Sequence, residues 1–134
     1  MSNPYADFET DTDLERNGVW MDFGAYRIKI AASGSENPEF MTCYAEKLKP
    51  IRHALATKKL DEEVERKMLI EAYAETVVKD WENVTDRSGA AMEFSVENVI
   101  KLFTDLPRLF ALVRNHAQNL VNFKVEEAQE LGNG

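Results

Sequence analysis

Residues 18–30 read GVWMDFGAYRIKI and contain two short runs of β-prone residues on either side of a turn at 22–25. Gly24 can adopt the positive φ that such a turn needs. In the second run apolar and basic residues alternate, which is typical of a strand with one solvated face: Tyr26, Arg27, Ile28, Lys29 and Ile30. The stretch therefore predicts a β-hairpin over about 18–31. Because a lone hairpin is only marginally stable in water, it must pack on other elements.

The chain after residue 33 carries the start and stop signals of a series of helices. Asn37 followed by Pro38 predicts a helix start, since Asn caps well and Pro suits the first helical position. Pro50 predicts a kink or break, because its ring clashes with the preceding turn. Ser95 is expected to cap a short helix, and Pro107 to occupy the first turn of the last one.

A broad apolar stripe predicts a long core helix over about 61–84. The acidic residues at 61–65 suit the positive end of such a helix. The stripe consists of two adjacent rows at helical spacing: Leu60, Val64, Met68 and Ala72, then Leu69, Tyr73, Val77, Trp81 and Val84. Trp81 is therefore expected to be buried.

These elements predict an α+β fold that is mainly α-helical, with one N-terminal β-hairpin packed on a bundle of four to five helices. Residues 1–15 are polar and acidic and are expected to form a flexible N-terminal arm. Residues 16–130 are expected to form a single domain of hairpin and helices, and residues 131–134 a flexible tail.

The composition excludes several classes of function. Of the 134 residues, 24 are acidic and 16 are basic, which gives a formal charge of −8. Such a surface repels phosphate, so we expect no nucleic-acid partner. No apolar run is long enough to span a bilayer, and the acidic start of the chain is unlike a signal or transit peptide, so we expect no membrane association. Protein partners are the better expectation.

The reactive side chains form no catalytic or metal-binding pattern. His53 and His116 are far apart, and the neighbours of the single Cys43 do not activate a thiol. The dipole of the predicted helix explains the acidic run at 61–65 without a metal, and residues 83–89 lack the alternating acidic ligands of a calcium loop. We therefore expect no catalytic residues, no metal and no cofactor, and a protein that is not an enzyme.

An ordered set of motifs extends over about residues 12–125. The motifs are Gly18–Trp20 with Tyr26–Ala31, Ala74–Val78 with Trp81, Val84–Asp86 with Gly89, Phe94 and Ser95 with Glu97 and Asn98, and Leu102 with Asp105–Pro107, Leu109 and Phe110. The set resembles the tail assembly chaperones of long-tailed, siphovirus-type bacteriophages. The resemblance implies a non-enzymatic protein of the host cytoplasm that binds the tape measure protein, often also the tail tube protein, and is absent from the mature virion.

The last helix is the expected partner-binding element. A small domain cannot bury every apolar face of several helices, and exposed apolar patches mark interaction sites. The candidate residues are Leu109, Phe110, Leu112, Val113, Leu120, Val121 and Phe123. The same face could instead serve self-association, as a homo-oligomer, or belong entirely to the core.

The negative charge leaves open a second class of function, an acidic decoy that inhibits a host nucleic-acid-binding protein. Such a mimic needs rows of carboxylates on one exposed surface. Basic residues interrupt the middle of this chain: Lys47, Lys49, Arg52, Lys58, Lys59, Arg66 and Lys67. The chaperone is therefore the first hypothesis and the decoy the alternative.

Overall fold

The computed structural model describes residues 3–57 and 62–123, apart from the side chains at 54, 55, 120 and 121. Helices dominate these ranges and a small antiparallel sheet accompanies them, so the predicted α+β, mainly α-helical class is confirmed. In chain order the elements are α1 (Pro4–Phe8), α2 (Thr12–Asn17), β1 (Val19–Asp22), β2 (Arg27–Ile30), α3 (Pro38–Leu48), a 3₁₀ turn (Lys49–Ile51), α4 (Arg52–Ala56), α5 (Glu62–Thr76), β3 (Val78–Glu82), α6 (Val96–Asp105), α7 (Pro107–Gln118) and a second 3₁₀ turn (Leu120–Phe123).

The N-terminal hairpin is confirmed, but the sheet has a third strand. β1 pairs antiparallel with β2, and the Asp22 carboxylate accepts a hydrogen bond from the Gly24 amide at 2.8 Å in a turn where Gly24 has a φ of 91°. β2 is the central strand, because β3 pairs antiparallel along its other edge. Side chains reinforce that pairing, since the Arg27 guanidinium donates to both carboxylate oxygens of Glu82 at 2.6 and 3.0 Å.

The prediction of one continuous helix over 61–84 is therefore wrong in its second half. The helix ends at Thr76, and the next residues form β3. The free edge of β2 explains the change, since its backbone groups need partners and the Ala31 amide donates to the Val77 carbonyl at 2.8 Å. Thr76, Val77 and Val78 are three β-branched residues in a row, and these favour a strand over a helix.

Tyr73 of α5 is the centre of the core. Its ring makes edge contacts with Phe40 of α3 and Phe110 of α7, both at 5.2 Å between centroids. Its hydroxyl lies 2.7 Å from the hydroxyl of Ser33, so the one polar atom of this buried side chain has a partner. The rest of the core includes fully buried residues from β2, the turn before β3, α6 and α7: Ile28, Ile30, Val77, Val99, Phe103 and Val113.

The local helix signals after residue 33 are confirmed. The Asn37 side chain accepts from the Phe40 amide and donates to the Ala32 and Thr76 carbonyls, so it caps α3 and ties that helix to the end of α5. Pro50 lies in the 3₁₀ turn that separates α3 from α4. Ser95 caps α6, and Pro107 begins α7. The start of α5 at 61 and the tail at 131–134 lie outside the described residues.

The flexible arm expected over residues 1–15 stays a prediction, and the described part of this segment, from residue 3, contains two short helices. Most of its described residues form α1 and the start of α2, and Asn3 and Asp11 cap these two helices. The segment is also joined to the body of the domain, because Glu15 is buried and its carbonyl accepts from the Ala32 amide at 2.9 Å. No apolar periodicity in the sequence marks this contact.

Candidate protein-binding surface

A sharp corner joins α6 to α7, with Leu106 as the single residue between them. The Leu106 amide donates to the Leu102 carbonyl at 2.9 Å and so closes α6. Pro107 then disfavours helical geometry at the residue before it, and Leu106 has a φ of −125° and a ψ of 75°. The chain therefore changes direction between α6 and α7 and does not continue as one helix.

The corner carries an exposed apolar surface, which we call the Leu106 surface. Leu106 itself is 46% exposed and lines three adjoining shallow grooves. The neighbouring apolar residues of these grooves come from the hairpin turn, the segment after β3 and both helices. The Leu106 surface consists of the exposed Leu106, the half-buried Tyr26, Met92, Leu102 and Leu109, and the buried Val84, which also lines the grooves. It has the composition of a protein-binding patch, an apolar centre formed by several elements.

A hydrogen-bonded loop after β3 forms the polar rim of this surface. One Asp86 carboxylate oxygen accepts from the Ser88 hydroxyl at 2.6 Å and from the Ser88 and Ala90 amides at 2.9 and 3.0 Å. The Ser88 hydroxyl, followed by the Ala90 amide, holds the pKa of Asp86 below its usual range. Gly89, with a φ of 88°, permits the tight return that leads to the Thr85–Ala91 bridge. These hydrogen bonds therefore fix the conformation of the loop at the rim.

Removing the Ser88 hydroxyl is expected to raise the pKa of Asp86. In Ser88→Ala the carboxylate keeps its backbone donors but loses its shortest hydrogen bond, so its pKa moves up toward the ordinary value. The folded pKa is depressed, so the stabilisation from this carboxylate is present above the unfolded pKa and is lost as the pH falls through the folded pKa. An NMR titration of the Asp86 side chain measures the shift. An unchanged pKa would show that the backbone donors alone hold the loop.

The structure divides the seven candidate residues of the last helix. Leu112 is 55% exposed and Leu109 is half-buried at the Leu106 surface. Phe110, Val113 and Phe123 are almost fully buried, so the structure places these three in the core and not on an exposed face. The side chains of Leu120 and Val121 lie outside the described part of the chain.

Sequence reasoning missed most of the Leu106 surface, since only Leu109 was among the candidates. Tyr26 and Met92 come from other parts of the chain, and only the fold brings them to the corner. One local signal was present. Leu106 occupies the N-cap of α7, where Ser, Thr, Asp or Asn is normally preferred, and it makes no side-chain cap bond.

The other reactive side chains of the described residues form no metal-binding group. Within residues 3–57 and 62–123, no group of His, Cys, Asp and Glu could hold a metal ion. Cys43 is half-buried, and burial followed by the nearby Glu75 raises the pKa of its thiol, which opposes thiolate chemistry. His53 is exposed, and His116 is half-buried with a pKa lowered by burial. None of the described helices is long and apolar enough to cross a membrane.

The fold and this surface define a small, mainly helical protein with an exposed apolar corner. Residues 35–133 match the family model described as YdaY prophage protein, and this is well over half of the chain. The chain therefore belongs to the YdaY prophage protein family and is a phage-related protein. The matched range includes α6, α7 and the loop at the rim of the Leu106 surface. Comparisons with curated proteins and with solved structures found no match.

Proposed function

We propose that this phage-related protein is a non-enzymatic tail assembly chaperone. Its client is the tape measure protein, with the tail tube protein as a second client, and it acts in the host cytoplasm before the tail is complete. The observation that carries the proposal is the exposed Leu106 surface, together with Leu112 on the same helix as Leu109. Membership in a prophage family and the motif resemblance support the same role.

The shape of the surface suits an amphipathic helix. Leu109 and Leu112 lie one turn apart on α7 and are therefore neighbours, and Leu106 precedes them by a further three residues. A client helix with apolar residues at similar spacing can lay its apolar stripe along this row. Tape measure proteins are long helical chains, so they offer many such stripes.

The side chain of Leu106 also provides no cap bond for α7. An exposed leucine at an N-cap leaves the amides of the first turn without a side-chain acceptor, although serine would supply one. A residue that breaks a local rule without a structural benefit is a candidate for function. Client binding supplies that function here, because Leu106 is the most exposed apolar side chain of the surface to which we give its name.

Co-expression with the tape measure and tail tube proteins of the same phage tests the proposal. We expect the tape measure protein to become soluble and to co-purify with the chaperone. Expression with an unrelated helical phage protein is the control for nonspecific rescue of solubility. If neither client gains solubility and neither co-purifies, the proposed function is wrong.

Replacing Leu106 by serine is expected to weaken client binding while the protein stays folded. Leu106→Ser removes the partly buried apolar side chain but offers a cap acceptor to α7; these effects oppose each other, so the free energy of unfolding should change by no more than about 1 kcal/mol. Capture of the tape measure protein should fall by about tenfold or more, as expected for a central interface residue. Urea unfolding and co-purification measure the two effects.

Met41→Ser is the matched control for this variant. Met41 is 50% exposed on α3 and does not line the Leu106 surface, so its replacement removes a similar apolar area without touching the site. We expect it to leave client capture unchanged. Equal loss of capture in both variants would contradict the location of the binding surface.

A further inference from the structure

The two ends of the described chain meet at one place. The Asp11 amide, at the start of α2, donates to the Phe123 carbonyl at 2.7 Å. Phe123 is buried, and Glu15 one turn into α2 is bonded through its carbonyl to Ala32. Residues 11–15 are therefore held against the body of the domain, with Asp11 next to Phe123.

Nearly all of the net charge of the protein belongs to these two ends. Residues 1–15 contain five acidic and no basic residues, and residues 124–134 contain three acidic residues and one basic residue. The two ends therefore carry a net charge of −7 out of the total of −8, and residues 16–123 carry only −1. The five acidic residues of the first end, from Asp7 to Glu15, all belong to the described residues and form an acidic region.

Two exposed aromatic residues lie in this acidic region. Tyr5 is 76% exposed and Phe8 is 70% exposed, more than any other large apolar side chain of the described residues. They are three residues apart on α1, so they lie on one side of the helix. No residue of α1 is buried, although Asn3 caps the helix and Pro4 starts it. The core does not explain these aromatics.

We propose that α1 and the adjoining acidic residues form a second docking surface, for a basic amphipathic segment of a partner protein. The apolar side chains of that segment pack on Tyr5 and Phe8, and its Lys or Arg side chains oppose Glu9 and Asp13, both of which are exposed. The aromatic faces add a favourable contact for the same cations. Nucleic acid and anionic membranes are repelled by this charge. The surface goes beyond the proposed function and shares no residue with the Leu106 surface.

The charge favours a basic partner over a second copy of this chain. Two copies that met through this region would bring two groups of carboxylates together. Their electrostatic repulsion grows as the distance between them falls, so such a dimer is disfavoured. A basic segment gains both steering toward the surface and apolar burial once it is bound. Its binding is therefore expected to weaken at high salt and also when Tyr5 and Phe8 are replaced.

The test uses the full chain and a synthetic 18-residue amphipathic helix with Leu on one face and Lys on the other. We expect calorimetry at low salt to detect binding, and a peptide of the same pattern with Glu in place of Lys to bind at least about tenfold more weakly. The double variant Tyr5→Ser/Phe8→Ser keeps the charge and should bind the Leu–Lys peptide about tenfold more weakly. Circular dichroism checks that it remains folded, as expected for exposed residues.

Charge variants locate the surface. Glu9→Gln/Asp13→Asn should weaken binding and flatten its salt dependence, whereas Glu93→Gln/Glu97→Gln removes two exposed charges elsewhere and should do neither. Unchanged binding in the aromatic variant would overturn the proposal in favour of contact by charge alone, as an acidic decoy would make. Loss of peptide binding in Leu106→Ser but not in the aromatic variant would overturn it as well, because the peptide would then occupy the Leu106 surface.

Discussion

Replacing Trp81 by alanine is expected to lower the free energy of unfolding by about 3–5 kcal/mol, a large share of the stability of a domain of this size. Trp81 lies on β3, where it is 6% exposed. Its ring packs edge-on against Phe94 at 5.6 Å, and its indole nitrogen donates to the Met92 carbonyl at 2.9 Å. The alanine variant loses the buried area and also leaves that carbonyl without its donor.

Urea unfolding followed by circular dichroism measures this loss, and Trp20→Ala is the matched control. Trp20 is half-buried on β1, where its outer face carries the guanidinium of Arg27 at 4.1 Å. Such a contact is worth about 0.5–1 kcal/mol, so the control should lose clearly less stability than Trp81→Ala. Similar small losses for both variants would contradict the packing of β3 against the loop that contains Met92 and Phe94.

Local signals in the sequence predicted the ends of several elements. Asn37, Ser95 and Pro107 act through atoms within about one turn of themselves, so their effects can be predicted without the rest of the fold. The hairpin over β1 and β2 is equally local, since alternation and one turn are enough to specify it. These predictions are confirmed for that reason.

The third strand depends on a partner that is distant in sequence, and this is why the prediction failed there. Val77, Trp81 and Val84 have the spacing of a helical stripe. In the structure, however, Trp81 lies on a strand, and it and Val78 are the buried residues of β3. Trp81 is buried as expected, but on a strand rather than on the predicted helix. Only the free edge of β2, some fifty residues earlier, decides between these alternatives.

The candidate site, too, could be predicted only in part. The apolar residues of α7 were identified, but their spacing does not say which of them the core covers. Tyr73 and Phe103 cover Phe110, and α7 also contacts β2, so Phe110 and Val113 are buried. Leu112 faces away from these contacts. Its exposure follows from the positions of neighbouring elements, and a single-helix pattern cannot supply them.

Two adjacent residues of α7 therefore provide the sharpest test of which side of this helix is exposed and which is buried. Leu112 is 55% exposed and Val113 is fully buried, although the two are consecutive and both are apolar. Val113→Glu would place a carboxylate in the apolar core, at an expected cost of more than about 4 kcal/mol, so most of the protein should unfold. Leu112→Glu places the same charge in solvent and should change the free energy of unfolding by no more than about 0.5 kcal/mol.

The two variants should also differ in client capture. Folded Leu112→Glu is expected to lose capture of the tape measure protein by about tenfold or more, because a charge would enter the apolar row beside Leu109. Ala111→Glu is the matched control, since Ala111 is exposed on the same helix but lies a residue away from the row. It should fold and keep its client. If Leu112→Glu unfolds, this position belongs to the core. If it folds and still captures the client as well as Ala111→Glu does, binding does not use this end of α7, and the site must be sought on another face.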